Sequence, residues 1–106
     1  MNVDYSGNPF KPRKILATLL DAVAAAVTSE VLDVSDMRIG SIIITGTFVG
    51  TVQIEASADD INFVQISTDK TAPAVVAIDP IYTRRIRAKV SAYTSGAVTV
   101  KYMGRT

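Results

Sequence analysis

The feature that most constrains this chain is a strict two-residue alternation of polar and apolar side chains over residues 51–57, TVQIEAS. Successive side chains of a β-strand point to opposite faces, so this period predicts a strand with one buried and one solvated face. Ahead of it, Ile42, Ile44 and Phe48 would share one face with Gly46 between them, and the short interruption at 49–50 predicts a hairpin between the two runs. A second turn is predicted at residues 57–60, because Asp59 and Asp60 can bond nearby backbone and tolerate left-handed dihedral angles.

The same alternation returns near the C-terminal end. Residues 82–92 place Ile86, Ala88 and Val90 on one face, opposite a stripe of basic side chains. A hairpin turn is predicted at residues 94–96, followed by a strand over 98–103, and further short strands are predicted at 38–48, 61–66 and 74–78. Seven or eight short strands predict an all-β fold, an antiparallel β-sandwich of jelly-roll or immunoglobulin-like type or a small barrel, in one domain over residues 15–106.

Residues 15–34 allow two interpretations. Six apolar residues fall at helical spacing, and the alanines favour a helix: Leu16, Leu19, Leu20, Val23, Val27 and Val31. The other interpretation is a strand over residues 15–20, a loop over 22–28 and a strand over 30–34. The all-β pattern of the neighbouring sequence favours the strands.

Residues 1–14 hold two of the four prolines and are predicted to form an extended arm, because proline suppresses both helix and central strand. Residues 11–29 carry basic residues, an apolar run and three alanines in the order of a secretory signal. Asp21 interrupts that run and the region before it is long, so we expect no cleavage there. The longest uninterrupted apolar run, residues 22–27, is far shorter than the roughly 20 residues of a membrane span.

Composition argues against catalysis. The chain has no histidine and no cysteine, which removes the usual imidazole base and the commonest metal ligands. It has neither a phosphate-binding glycine loop nor a G-x-S-x-G motif. Asp59, Asp60 and Asn62 could offer oxygens to calcium, but a hairpin turn that uses them for backbone bonds is favoured. We therefore expect no enzyme activity, no metal and no cofactor.

Charge is distributed unevenly along the chain. Residues 1–14 carry a net charge of +2, residues 15–81 carry −7 and residues 82–106 carry +6. The two large blocks can cancel within the fold or make copies complementary to one another. The basic stripe Arg85, Arg87 and Lys89 has no interleaved aromatic residues, so a solvated or ion-paired face, or a protein interface, is favoured over nucleic acid.

Two segments resemble short virion structural proteins of tailed bacteriophages. Residues 46–66, GTFVGTVQIEASADDINFVQI, are similar to the family pattern G-T-F-x-G-T-V-x-[apolar]-E-x-S-x-D-G-x-N-[aromatic]. Residues 82–105 are similar to Y-x-R-x-R-[apolar]-x-[apolar]-x-A-Y-T-S-G-x-V-T-V, and LLDAV with VLDVS within residues 19–35 also match. The chain departs from the pattern where Asp60 replaces glycine in the turn and where Phe63 replaces the commoner tryptophan.

The resemblance implies a non-enzymatic β-sandwich protein located in the virion, as a head decoration, minor capsid, neck or tail component. We expect a homo-oligomer that binds the major capsid protein or other virion proteins, with a head-associated role favoured. Candidate assembly residues come from the aromatic side chains of the arm, the two-faced strand and the basic stripe: Tyr5, Phe10, Ile39, Ile43, Arg85, Arg87 and Lys89. The alternative is a carbohydrate- or receptor-binding module of a tail or fibre, for which Tyr82 and Tyr93 are the candidate aromatics.

Overall fold

Antiparallel strands make up the regular structure of the chain. The computed structural model describes residues 14–35, 37–78 and 83–105, and no helix occurs among them. The eight strands are β1 (Lys14–Val23), β2 (Leu32–Asp33), β3 (Ile39–Thr45), β4 (Phe48–Ser57), β5 (Val64–Gln65), β6 (Ala74–Ile78), β7 (Arg85–Gly96) and β8 (Val98–Arg105). No helix of the described residues is long and apolar enough to cross a membrane.

The strands form two four-stranded sheets that pack face to face. The first sheet has the order β1-β8-β3-β6 and the second has the order β2-β7-β4-β5. Ile42 and Val100 of the first sheet and Ile54 and Ile86 of the second are fully buried in the core between them. The predicted all-β sandwich is confirmed, because each central strand turns every second side chain into this core.

One long ribbon forms most of both sheets. β3 pairs with β8 from Ile39↔Arg105 to Thr45↔Thr99, and β4 pairs with β7 from Phe48↔Gly96 to Ser57↔Arg85. The two ladders share one continuous register through the corner, where the Ala97 amide donates to the Thr47 carbonyl at 3.0 Å. Residues 39–57 and 85–105 are therefore a single antiparallel ribbon, folded over so that its halves lie in different sheets.

The hairpins predicted at residues 49–50 and 94–96 are wrong for this reason. Both positions lie within or at the end of a strand, and the chain changes sheet at residues 46–47 and at Ala97 instead. The bend needs backbone angles that glycine adopts without strain: Gly46 has φ +111° and Gly96 has φ +92°. Alternation shows which side chains are buried, but it does not distinguish a neighbour in the same sheet from one across the core.

Residues 15–34 contain most of β1, all of β2 and the loop between them, and no helix, so the helical interpretation is wrong. β1 extends three residues beyond the predicted strand and pairs with β8, with irregularities after Thr18 and Leu20. β2 is shorter than predicted and pairs with β7 only through Leu32 and Asp33. The strand predicted over residues 61–66 is reduced to β5, and Ile61 is 80% exposed. Except for Lys14, which begins β1, the predicted arm lies outside the described residues.

The turn between β4 and β5 is organised by the Asp59 carboxylate, as the sequence predicts. One oxygen accepts from the amides of Asn62 (2.8 Å) and Ile61 (2.9 Å) and from the Ser57 hydroxyl, and the other accepts from the Asn62 side chain. Asp60 follows in the left-handed region at φ 67°, in place of the glycine of the family pattern. These hydrogen bonds, the Asn62 amide first, hold the pKa of Asp59 well below its ordinary value.

This lowered pKa predicts a pH dependence of stability. A carboxyl whose pKa is lower in the folded state stabilises fully above its unfolded pKa of about 3.9, and its contribution falls as the pH drops further. We expect Asp59→Asn to be less stable than wild type at pH 7, and the difference to shrink between pH 4 and pH 2. Urea unfolding across this range measures it, with Asp21→Asn as the exposed control. A difference that is constant with pH would contradict the expectation.

Candidate functional site

The outer face of the first sheet is unusually apolar. The strand register places Leu16, Met103, Ser41 and Ala77 in one row across all four strands. Ile43 and Val75 are direct neighbours in the next row, and Ile39 lies beside Arg105. Leu16, Ile39 and Val75 are each more than 60% exposed, and Met103 is about half exposed (49%). Such side chains, contiguous on one sheet, form a patch rather than scattered surface residues.

A groove of about 400 Å³ runs across this patch. Its lining includes Leu16, Ile39 and Met103, with Gly40 and Gly104 between them. A Cβ on either glycine would point inward and meet the buried Tyr102 ring at 2.8 Å, so backbone alone lines the groove at both positions. The sheet therefore presents an apolar depression on the side that faces away from the core.

The charged residues around the groove that the structure describes have one sign. The outward positions of residues 14–18 of β1, and those of β3, β6 and β8, include Lys14, Lys101 and Arg105 and no acid. Asp21 lies on β1 beyond its irregularities, toward the other end of the sheet. We name this surface the basic apolar face; its residues are Leu16, Ile39, Ile43, Val75 and Met103 with Lys14, Lys101 and Arg105.

The outer face of the second sheet has a different character, because its arginines are paired within the fold. Arg87 Nε lies 2.8 Å from Glu55 Oε1, and its guanidinium carbon lies 4.2 Å from the centre of the Phe63 ring. Arg85 Nε lies 2.9 Å from a carboxylate oxygen of Asp60. The predicted basic stripe is thus an ion-paired face, one of the alternatives that its sequence left open.

The structure separates the predicted assembly residues. Ile39 and Ile43 lie on the basic apolar face, whereas Arg85, Arg87 and Lys89 lie on the second sheet. Lys89 pairs with Gln53 and is half-buried beside Thr28. Tyr5 and Phe10 fall outside the described residues. The assembly role of all seven remains a prediction.

Sequence reasoning missed Leu16 and Val75 and placed Met103 outside without assigning it a role. Outward alternation is the signal that identifies each of them, once its segment is known to be a strand. What the sequence does not contain is the strand order, which brings side chains from residues 16, 39, 75 and 103 together.

A second apolar cluster lies at the β5 edge of the second sheet. Ile61, Val64 and Ile66 are exposed there, and a groove of about 560 Å³ lined by Val64, Ile66 and Asp59 runs beside them. Asp69 lies close by and accepts hydrogen bonds from Gln65 (2.8 Å) and Gln53 (3.1 Å), which lower its pKa. We name these residues, Ile61, Val64, Ile66, Asp59 and Asp69, the acidic apolar edge.

Comparison with known proteins shows which solved structures have a similar fold. No protein-family model matches the sequence, and no curated protein matches it. The crystal structure of the SPBc2 prophage-derived protein YomS is similar over 99% of this chain and 100% of that one, with a TM-score of 0.78 and 17% sequence identity. At this identity the likeness is one of fold.

A weaker similarity exists to a structure of Bacillus endospore appendages, described as disulfide-linked pili. It covers 100% of this chain and 98% of that one, with a TM-score of 0.51 and 12% identity. The present chain has no cysteine, so the disulfide link of those pili has no counterpart in it. Both comparisons span nearly the whole length of each chain, so the similarity extends over both sheets and is not limited to one part of the fold.

Proposed function

We propose that this chain is a non-enzymatic structural protein of a bacteriophage virion, a head-associated decoration or minor capsid protein that self-associates and binds other virion proteins such as the major capsid protein. The observation that carries the proposal is the basic apolar face, an exposed apolar patch with a groove on the outer side of the first sheet. Patches of this kind mark protein interfaces. The fold of the prophage-derived protein and the sequence resemblance to phage virion proteins support the setting.

Magnitudes favour binding within an assembly over an isolated pair. Burying a whole large apolar side chain contributes about 1.5–3 kcal/mol. Leu16, Ile39, Val75 and Met103 are roughly half to two-thirds exposed, so covering all four contributes about 4–7 kcal/mol. The loss of translational and rotational freedom on association costs about 4–15 kcal/mol. One such contact is therefore weak. In a shell each copy makes several contacts at once, so its overall affinity for the assembly is higher than that of a single contact.

The groove itself is suited to contact rather than to catalysis. Among the residues the structure describes, its side chains are aliphatic, thioether and cationic, with Ser41 as the hydroxyl, and neither a carboxylate nor an imidazole lines it. A serine nucleophile needs a neighbouring base to activate it. This chemistry supports the non-enzymatic part of the proposal.

The carbohydrate-binding alternative is less well supported by the described residues. Tyr93 is half-buried against the core, and its hydroxyl donates to the Gly96 carbonyl at 2.9 Å. A sugar-stacking aromatic residue would present a free ring face and an available hydroxyl. Tyr82 lies outside the described residues.

The experiment uses virions of the phage that carries the gene and virions from which the gene has been deleted. We expect the chain in purified wild-type virions at a fixed copy number, with its density on the head by cryo-electron microscopy. Added protein should rebind the deletion particles. Leu16→Asp with Met103→Asp should weaken that binding at least tenfold, because charge on the groove opposes its desolvation, whereas Ser91→Asp on β7 of the second sheet should not. Absence of the chain from purified virions would overturn the proposal.

A further inference from the structure

We propose that the basic apolar face of one copy docks on the acidic apolar edge of a second copy. This inference rests on the self-association in the proposed function and names the two surfaces that meet. Both surfaces expose large aliphatic side chains. The face carries three cations, whereas the edge carries Asp59 and Asp69, with Lys70 as the neighbouring cation on the same edge. The occupant of the groove is therefore the β5 edge of a neighbouring molecule of the same chain.

Charge selects the pairing of unlike surfaces. The face carries Lys14, Lys101 and Arg105, so two faces placed together would bring six cations into one contact. Like charges placed together across an interface cost several kcal/mol, and complementary charges fix the register. The edge supplies the opposite sign through Asp59 and Asp69, which have no cationic partner within hydrogen-bond distance in the described residues.

The two acids remain ionised under ordinary conditions. Hydrogen bonds from neighbouring backbone and side-chain groups lower the pKa of both, so each holds its charge to low pH. Two other acids of the second sheet are ion-paired: Asp60 lies against Arg84 and Arg85, and Glu55 lies against Arg87. At the β5 edge, the acids that remain free to meet a neighbour are Asp59, which lines the groove with Val64 and Ile66, and Asp69, which is held by Gln65.

Apolar complementarity supports the same contact. The face has a groove about 400 Å³ in volume, and the edge, beside its own groove of about 560 Å³, exposes Ile61 at 80% and Val64 at 66%. Side chains this exposed can enter the groove of the face. Because the surfaces differ, a copy can present its face to one neighbour and its edge to another, as rings and shells require.

Charge reversal with complementation tests the contact on the full chain. The face variant carries Lys101→Glu and Arg105→Glu, and the edge variant carries Asp69→Lys and Val64→Lys. We expect each alone to raise the self-dissociation constant at least tenfold in sedimentation velocity, because like charges then meet. A 1:1 mixture should recover association, since each variant offers the surface that the other needs. Association of the wild type should weaken as salt rises from about 50 mM to 500 mM, where exposed charges are screened.

Controls separate this contact from other modes of association. Circular dichroism and thermal melting establish that each variant is folded, and Ser91→Glu on the second sheet should associate as the wild type does. Tyr5→Ser with Phe10→Ser tests the chain leading into β1 as the occupant of the groove. If that variant loses association while the charge reversals retain it, the inference is wrong.

The remaining outcomes also decide the matter. If the wild type associates but the edge variant is unaffected, or if the mixture does not recover, a different surface is used and the inference fails, while the proposed virion role stands. If the wild type is monomeric at every concentration, the inference fails as well, and rebinding to deletion particles then tests the virion role separately. Only one result supports the face-to-edge contact: each variant by itself loses association, and the 1:1 mixture recovers it.

Discussion

Replacing Gly96 with alanine is expected to lower the free energy of unfolding by about 4 kcal/mol. Gly96 has φ +92°, a backbone conformation that costs an L-residue about 1–3 kcal/mol. A Cβ there would also fall on the Thr47 carbonyl oxygen and lie 2.6 Å from the Phe48 Cα. Both obstacles are backbone atoms of the paired strand, so relief requires the corner itself to open, at a further cost of about 1–3 kcal/mol.

Equilibrium unfolding in urea measures this loss, with Ser95→Ala as the matched control. Ser95 is the exposed neighbour on the same strand and already carries a Cβ, so its change should stay within about 0.5 kcal/mol. A typical domain has only about 5–15 kcal/mol of stability, so Gly96→Ala should also shift thermal melting visibly. If Gly96→Ala melts like Ser95→Ala, the folded-over ribbon does not depend on this corner.

The corner also explains which parts of the fold were predictable. Alternation located β3, β4, β7 and β8 because each must bury every second side chain, as Ile42, Ile54, Ala88 and Val100 do. It could not distinguish a hairpin from a bend into the opposite sheet, because both bury the same residues. Gly96 was recognised as a turn residue, whereas Gly46 was kept inside a strand and the interruption was placed at residues 49–50 instead. Whether a glycine closes a two-strand turn or bends a paired ribbon depends on a partner strand that is distant in the sequence.

The candidate site was predictable only in part. Ile39 and Ile43 stood out because their strand is apolar on both faces, and the structure leaves Ile39 exposed. The role of Leu16 was hidden by the helical spacing of residues 15–34, which matches a strand equally well over so short a stretch. Arg85 and Arg87 attracted attention by their charge, yet Asp60 and Glu55 neutralise them. Pairing between distant segments decides both outcomes, and a single sequence does not show it.

Truncating Ile54 to alanine is expected to lower the free energy of unfolding by about 3–4 kcal/mol. Ile54 is fully buried in the middle of β4 and pairs with Ala88 on β7. The next core-facing pair along these two strands is Ala56 with Ile86. Large and small side chains thus alternate, and the alanine beside Ile54 cannot fill the space that its truncation would leave. Loss of transfer free energy and the remaining cavity together give a cost of this size.

The control for Ile54→Ala is Val49→Ala, an exposed position on the same strand, for which a change within about 0.5 kcal/mol is expected.

Comparing Ile54→Ala with the groove variant then separates an effect on stability from an effect on binding. Below its melting temperature, Ile54→Ala should rebind deletion particles as the wild type does, because the basic apolar face lies on the other sheet. Leu16→Asp with Met103→Asp should do the reverse and lose binding at little cost in stability, since both side chains are already exposed. If both variants lost binding in proportion to their loss of stability, binding would depend only on the folded state, and the basic apolar face would not be the surface that recognises a partner.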